Sequence, residues 1–187
     1  MEITSAHIKE LRDKTGISVM QCKKALEEAG GDMDKALIIL KKKRSEAADK
    51  KSDRELGAGT VGSYVHNTNE VAAMVVLSCE TDFVSKNEEF IALARDIAMH
   101  VAALNPKFIS KDQVDAVSLQ KATEVFEKEV ADKPADMQAK ILEGKLSSYF
   151  KEQILLEQPF IKNPDTTIGE LVNGAVQKFG ENVNVTE

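Results

Sequence analysis

The run Val71-Ala72-Ala73-Met74-Val75-Val76-Leu77-Ser78-Cys79, followed by Glu80-Thr81-Asp82-Phe83-Val84 and then Ser85-Lys86-Asn87-Glu88, decides how the rest of the sequence is read. Side chains alternate along an extended chain, so Val71, Ala73, Val75, Leu77 and Cys79 share one side while Ala72, Met74 and Val76 share the other. Both sides are largely apolar, which predicts a central strand covered on both faces. Ser85 and Glu88 have capping-box spacing, and Phe90, Leu93, Ala94, Ile97, Val101 and Leu104 then recur at helical intervals until Pro106 closes the helix. Glu80 to Val84 is therefore expected to be a surface loop held at both ends, a setting that presents a side chain rigidly to a partner. Phe83 lies off both periodic patterns. From the residues alone its ring either folds back under the helix or stands ready for a partner.

Upstream, Thr60 to His66 alternates loosely, with Val61 and Val65 on one side and Tyr64 on the other. Asn67-Thr68-Asn69 is turn-forming, so this segment and the Val71 strand read as an antiparallel hairpin. Lysines, arginines and acids mix from Lys41 to about Gly59, and residues 42–59 are expected to form a solvated, charged linker. Residues 1–41 read as a three-helix bundle. Thr4 is an N-cap, with Ile3 and Ile8 at hydrophobic-staple spacing, and Gly16 ends the helix. Ser18 with Gln21 opens a second helix whose buried stripe is expected at Val19, Cys22, Leu26 and Ala29. Gly30-Gly31 stops it, and Asp32 caps a third helix with a stripe at Met33, Ala36, Leu37 and Leu40. Met20 sits about 100° around the second helix from that stripe. It is either a flanking core residue or an exposed, adaptable contact for a protein partner.

Downstream, residues 118–156 read as a helical excursion interrupted at Pro134 and Gly144. Its stripes are Leu119, Ala122, Val125, Phe126 and Val130, then Ile141, Leu142, Leu146, Tyr149 and Phe150. Thr167 and Glu170 give another capping box, Gly180 ends that helix, and Asn182 to Val185 starts a last strand. The fold class is α+β: a helical bundle, a charged linker, and a core over residues 60–187 in which a small antiparallel sheet packs with helices.

Of the 187 residues, 42% are hydrophobic and 30% charged, ordinary for a globular protein, and the net charge of −6 does not invite nucleic acid. No apolar run approaches the roughly 20 residues of a membrane span. No signal peptide is visible, so a cytoplasmic location is expected. The two cysteines, Cys22 and Cys79, show no Cys-x-x-Cys spacing, and His7, His66 and His100 show no metal-ligand spacing. Neither a metal nor a cofactor is expected. Two rival functions have some footing in the residues. Cys79 with His66 on the neighbouring strand suggests a thiol nucleophile and its base, against the reading of Cys79 as a buried, inert thiol. Lys41 to Arg44 suggest an RNA contact, against a solvated charged face without interleaved aromatics.

Several stretches together resemble the elongation factor Ts family. The most specific is Glu80-Thr81-Asp82-Phe83-Val84. Around it stand Leu11-Arg12-Asp13-Lys14-Thr15-Gly16, Met20-Gln21-Cys22-Lys23-Lys24-Ala25-Leu26, Gly62-Ser63-Tyr64-Val65-His66, Leu156-Glu157-Gln158-Pro159-Phe160 and Thr167-Ile168-Gly169-Glu170-Leu171. The resemblance implies a guanine nucleotide exchange factor rather than an enzyme, one that binds the GDP form of elongation factor Tu. It implies that the N-terminal bundle, similar to ubiquitin-associated domains, docks on the GTPase domain through Arg12 and Met20. Relatives often carry two adjacent methionines where this chain has Val19-Met20, so Met20 alone inherits that contact. It further implies that Thr81, Asp82, Phe83 and Val84 enter near the partner's phosphate and magnesium site and disturb it to release GDP, that His66 makes a further core contact, and that a second domain of elongation factor Tu and a homodimer belong among the partners. The chain itself has no Gly-rich loop ending in Gly-Lys-Ser/Thr, so it is expected to bind no nucleotide.

Overall fold

The computed structural model describes residues 3–187. Its elements are α1 (Ser5–Thr15), α2 (Val19–Glu28), α3 (Met33–Asp49), β1 (Ala58–Val65), β2 (Ala72–Cys79), α4 (Asp82–Ser85), α5 (Glu88–Leu104), α6 (Ala116–Val130), α7 (Ala135–Lys151), β3 (Pro159–Phe160), β4 (Asn163–Thr167), α8 (Ile168–Phe179) and β5 (Val183–Val185). The class is α+β, with helices around small antiparallel sheets.

The first three helices close around Leu11, Cys22, Leu26 and Ala36, all fully buried. Thr4, Ser18 and Asp32 cap them as expected, and Gly16 ends α1 in the left-handed region at φ 68°. Val19, expected in the buried stripe, is instead exposed on the first turn of α2. Ile17, just before the cap, fills that place, and Ala25 completes the stripe with Cys22 and Leu26.

The expected linker over residues 42–59 is largely absent as a linker. Residues 41–49 contain good helix formers and neither Gly nor Pro, and α3 runs through them to Asp49. Its first half belongs to the bundle through Ala36 and Leu40, while Ala48 packs against the main core. Between these, Lys41 Nζ lies 2.9 Å from Glu170 Oε1 on α8, and Arg44 donates to the Thr15 carbonyl at 2.9 Å. Lys41 thus ties α3 to α8, while Arg44 and Lys43, which pairs with Glu28, tie it to the other two helices of the bundle.

The main sheet has the order β1-β2-β5, antiparallel throughout, with Gly62 opposite Val75 and Leu77 opposite Val185. Helix α5 covers one face through Phe90, Ala94 and Ile97, which meet Val75, Leu77 and Cys79 in the core. The approach is tight at Gly62, where a Cβ would stand 2.3 Å from the Ala94 carbonyl carbon and oxygen. β2 is central in the sheet, but the expectation that both its faces are covered does not hold. Met74 is 74% exposed, and Val61 and Val65 beside it on β1 are each 61% exposed. Alternation reports that a face is apolar and cannot report what lies over it.

Helix α5 begins at Asn87, whose side chain accepts from Glu89 N, and not at the expected Ser85–Glu88 box. Ser85 is buried, and its hydroxyl donates to the Asp82 carbonyl within α4. The excursion is a two-helix hairpin of α6 and α7. Pro134 marks its turn, whereas α7 continues through Gly144, which has open space beside it. The Thr167–Glu170 capping box forms in full, and Gly180 ends α8 at φ 76°. Phe179 then stacks edge-on against Phe90 at 5.7 Å. Among the described residues no helix is long and apolar enough to cross a membrane, and no His, Cys, Asp and Glu cluster is arranged to hold a metal.

Candidate functional site

The segment between β2 and α5 is not a plain loop. Asp82–Ser85 forms a single helical turn, and this turn sorts its side chains sharply. Val84 and Ser85 point inward and are buried, while Thr81, Asp82 and Phe83 face solvent. Phe83 is 83% exposed, the highest exposure of any large hydrophobic side chain among the described residues. The reading of Phe83 as a core residue is therefore excluded. Val84, which the sequence grouped with the contact residues, sits in the main core and anchors the turn from below.

A four-residue helix does not hold itself together, so its position must come from its surroundings. Beneath it, Val84 joins the cluster of Cys79 and Phe90. Beside it, the carboxylate of Glu181 accepts backbone N–H groups from Glu80 at 3.1 Å and Thr81 at 3.0 Å, and the Thr81 hydroxyl at 2.6 Å. In return, the Glu80 carboxylate accepts the backbone N–H of Asn182, and Arg54 Nη1 at 3.2 Å. Those two contacts, the Asn182 bond foremost, hold the Glu80 carboxyl below its usual range. The Asn182 side chain closes the group by donating to the Ser52 and Arg54 carbonyls. Asp82 pairs with Lys86 at 2.7 Å in the open, and this hydrogen bond pushes its carboxyl below the ordinary value. The exposed tip thus carries one carboxylate and one large ring.

Cys79 lies under the same turn, fully buried, its thiol donating to the Thr81 carbonyl at 3.2 Å. Burial raises its pKa, and the charge of Glu181 adds to the effect, so the thiolate is disfavoured. His66 is far from it. Ala58 pairs with Cys79 at one end of the hairpin and Val65 with Ala72 at the other, so His66 lies about 26 Å away along the strands. The thiol–imidazole pairing suggested by the sequence does not exist. For the same reason His66, exposed and within 3.2 Å of the Tyr64 hydroxyl, is not part of the Phe83 tip.

The bundle presents its own residues separately. Met20 is 66% exposed on α2 and takes no part in the bundle's core. Arg12 is exposed at the edge of a cleft of about 530 Å³ between the bundle and α8, where Gln21 accepts from Gln177 at 3.0 Å. Glu181 was not singled out by the sequence. It follows a helix-ending glycine, a position with no periodic or motif signal, and its partners lie 100 residues away.

Residues 47–186 match the protein-family model described as Elongation factor TS. The chain is 46% identical over 186 residues to Elongation factor Ts of Thermodesulfovibrio yellowstonii, an alignment covering 99% of this chain and 93% of the relative. It is 46% identical to Elongation factor Ts of Syntrophus aciditrophicus, with 98% and 92% covered, and 45% identical to that of Carboxydothermus hydrogenoformans, with 98% and 85% covered.

Proposed function

The chain belongs to the elongation factor Ts family, and from that premise we propose that it is a guanine nucleotide exchange factor acting on elongation factor Tu. The observation that carries the proposal is Phe83: a large apolar ring almost wholly in water, on a turn anchored beneath by Val84 and beside by Glu181. Leaving such a ring exposed forfeits the stabilisation it would gain in a core, which fits a side chain reserved for a partner.

In this reading residues 1–41 dock on the GTPase domain, with Met20 and Arg12 among the contacts. The Phe83 tip then enters near the phosphates and the magnesium ion of the partner. Exchange requires only that the factor bind the nucleotide-free partner better than the nucleotide-bound one. Linkage makes the effect mutual, so factor and nucleotide weaken each other's binding by the same ratio. Asp82 brings negative charge towards phosphates that already carry it, and Phe83 competes for the space in which the metal is held. Losing the metal removes the main charge stabilising the bound phosphates. No covalent bond is made or broken by this chain, and it binds no nucleotide itself. A cytoplasmic location follows from this role.

The uncovered sheet face of Val61, Val65 and Met74 supports a second element of the reading, pairing with a further copy of the chain. Sedimentation across a concentration series tests it, and a monomer at high concentration would remove it. The exchange function is tested by release of labelled GDP from purified elongation factor Tu. The expected result is acceleration that saturates with added protein; an unchanged release rate at every concentration would defeat the proposal.

A further inference from the structure

The Phe83 turn and the turn after α8 hold each other by an exchange of carboxylates. Glu181 takes two N–H groups and a hydroxyl from Glu80 and Thr81, and Glu80 takes the N–H of Asn182. Both oxygens of Glu181 are used, and each bond is charge-assisted, the stronger kind. Thr81 occupies the N-cap position of α4 yet caps nothing within the helix, because its hydroxyl is committed to Glu181. The direction of the helical turn, and hence of Phe83 two residues on, is therefore set from outside the turn. Val84 fixes its depth. Without Glu181, the two amides entering the turn lose their only partners among the described residues, and the turn is free to pivot about Val84.

We infer that Glu181 is a positioning residue for exchange: its carboxylate holds the Glu80–Thr81 backbone so that Phe83 and Asp82 are offered in one direction. This rests on the exchange role proposed for the turn. A contact made by a single rigid ring requires its supporting residues to be locked to within about 0.5 Å, and a four-residue helix cannot supply that alone. Glu181 is only partly buried and contributes no apolar packing, so its removal should loosen the turn and leave the core intact.

The test uses the full chain with Glu181→Ala, Glu181→Gln and Phe83→Ala. Two measurements are made: amide hydrogen exchange at Glu80 and Thr81 in the free protein, and GDP release from elongation factor Tu against factor concentration. For Glu181→Ala both amides should exchange at least about tenfold faster, and the maximal release rate should fall roughly tenfold. The half-saturating concentration should hardly move and the single cooperative urea transition should persist at a modestly lower midpoint, which separates positioning from general loss of structure. Glu181→Gln should recover most of the rate, because its amide oxygen can accept both N–H groups while its NH₂ donates to Thr81 Oγ. Unchanged amide protection, or loosened amides with a normal release rate, would overturn the inference. Slow release by Phe83→Ala beside normal release by Glu181→Ala would remove Glu181 and keep the exchange role. Normal release by Phe83→Ala beside slow release by Glu181→Ala would overturn the inference, because Glu181 would then act other than by directing the Phe83 ring.

Discussion

Replacing Phe83 with alanine should slow GDP release strongly while leaving the free protein as stable as before. Full burial of a phenylalanine side chain is worth about 1.5–3 kcal/mol. With 83% of the residue exposed, nearly all of that remains to be gained on a partner and little has been gained in folding. The unburied share corresponds, at about 1.4 kcal/mol per tenfold, to a loss of roughly one to two decades in maximal exchange rate. The share already buried corresponds to less than about 0.5 kcal/mol of stability, and alanine's better helix propensity on α4 offsets part of that. The first encounter should be nearly unaffected, since Met20, Arg12 and the rest of the bundle's surface remain. Stopped-flow release of labelled GDP gives the rate and its half-saturation, and urea unfolding of the same preparation gives stability. A core phenylalanine truncated to alanine would cost about 3–5 kcal/mol. A loss of that size with a normal rate per folded molecule would refute both the placement of the ring and the role built on it.

Three further outcomes follow from the same structure. Gly62→Ala should lower stability by about 1–3 kcal/mol, because its methyl would meet the Ala94 carbonyl at 2.3 Å and α5 must shift off the sheet; an unchanged urea midpoint would show that α5 yields freely. Met20→Asp should weaken binding to elongation factor Tu with no loss of helical circular dichroism, and a drop in ellipticity would return Met20 to the bundle core. His100 is fully buried, and that burial holds its imidazole below the ordinary value against a smaller opposing contribution from Gln158. Its folded form therefore binds fewer protons than its unfolded form below about pH 6.5, so stability should be complete above that pH and decline as the pH falls through it. The slope of stability between pH 7.5 and 5.5 checks this, and a slope no smaller in His100→Gln would contradict it.

The features legible in the sequence were those decided within three or four residues. Thr4, Asp32 and Thr167 each cap a helix whose first turn supplies the N–H they accept, and Gly16 and Gly180 adopt the left-handed conformation that ends one. What escaped was decided by distant neighbours. Ser85 and Asn87 both have side chains fit to cap α5, and the choice fell to Asn87 because Ser85 is buried under the preceding turn. Lys41 to Ala48 looks like a solvated charge run, yet α8 supplies Glu170 on one side and the main core receives Ala48 on the other. Val61, Val65 and Met74 mark an apolar face without stating that it lies open. Phe83 was visible as a break in two periodicities, while Glu181, which holds its turn, carries no local mark at all.

The continuity of α3 has a geometric consequence for the whole molecule. Were residues 42–49 a tether, adding or removing a residue there would change only the reach of the bundle. Because they are helix, each residue is a fixed increment of rotation and rise, about 100° and 1.5 Å. One residue inserted after Arg44 would swing Met20 by more than a quarter turn relative to Phe83 and pull Lys41 off Glu170. Four would bring the phase back to within about 40° but lift the bundle by about 6 Å. The bundle and the Phe83 tip are therefore gauged against each other like two jaws on one rod, and the gap between them is set by a residue count.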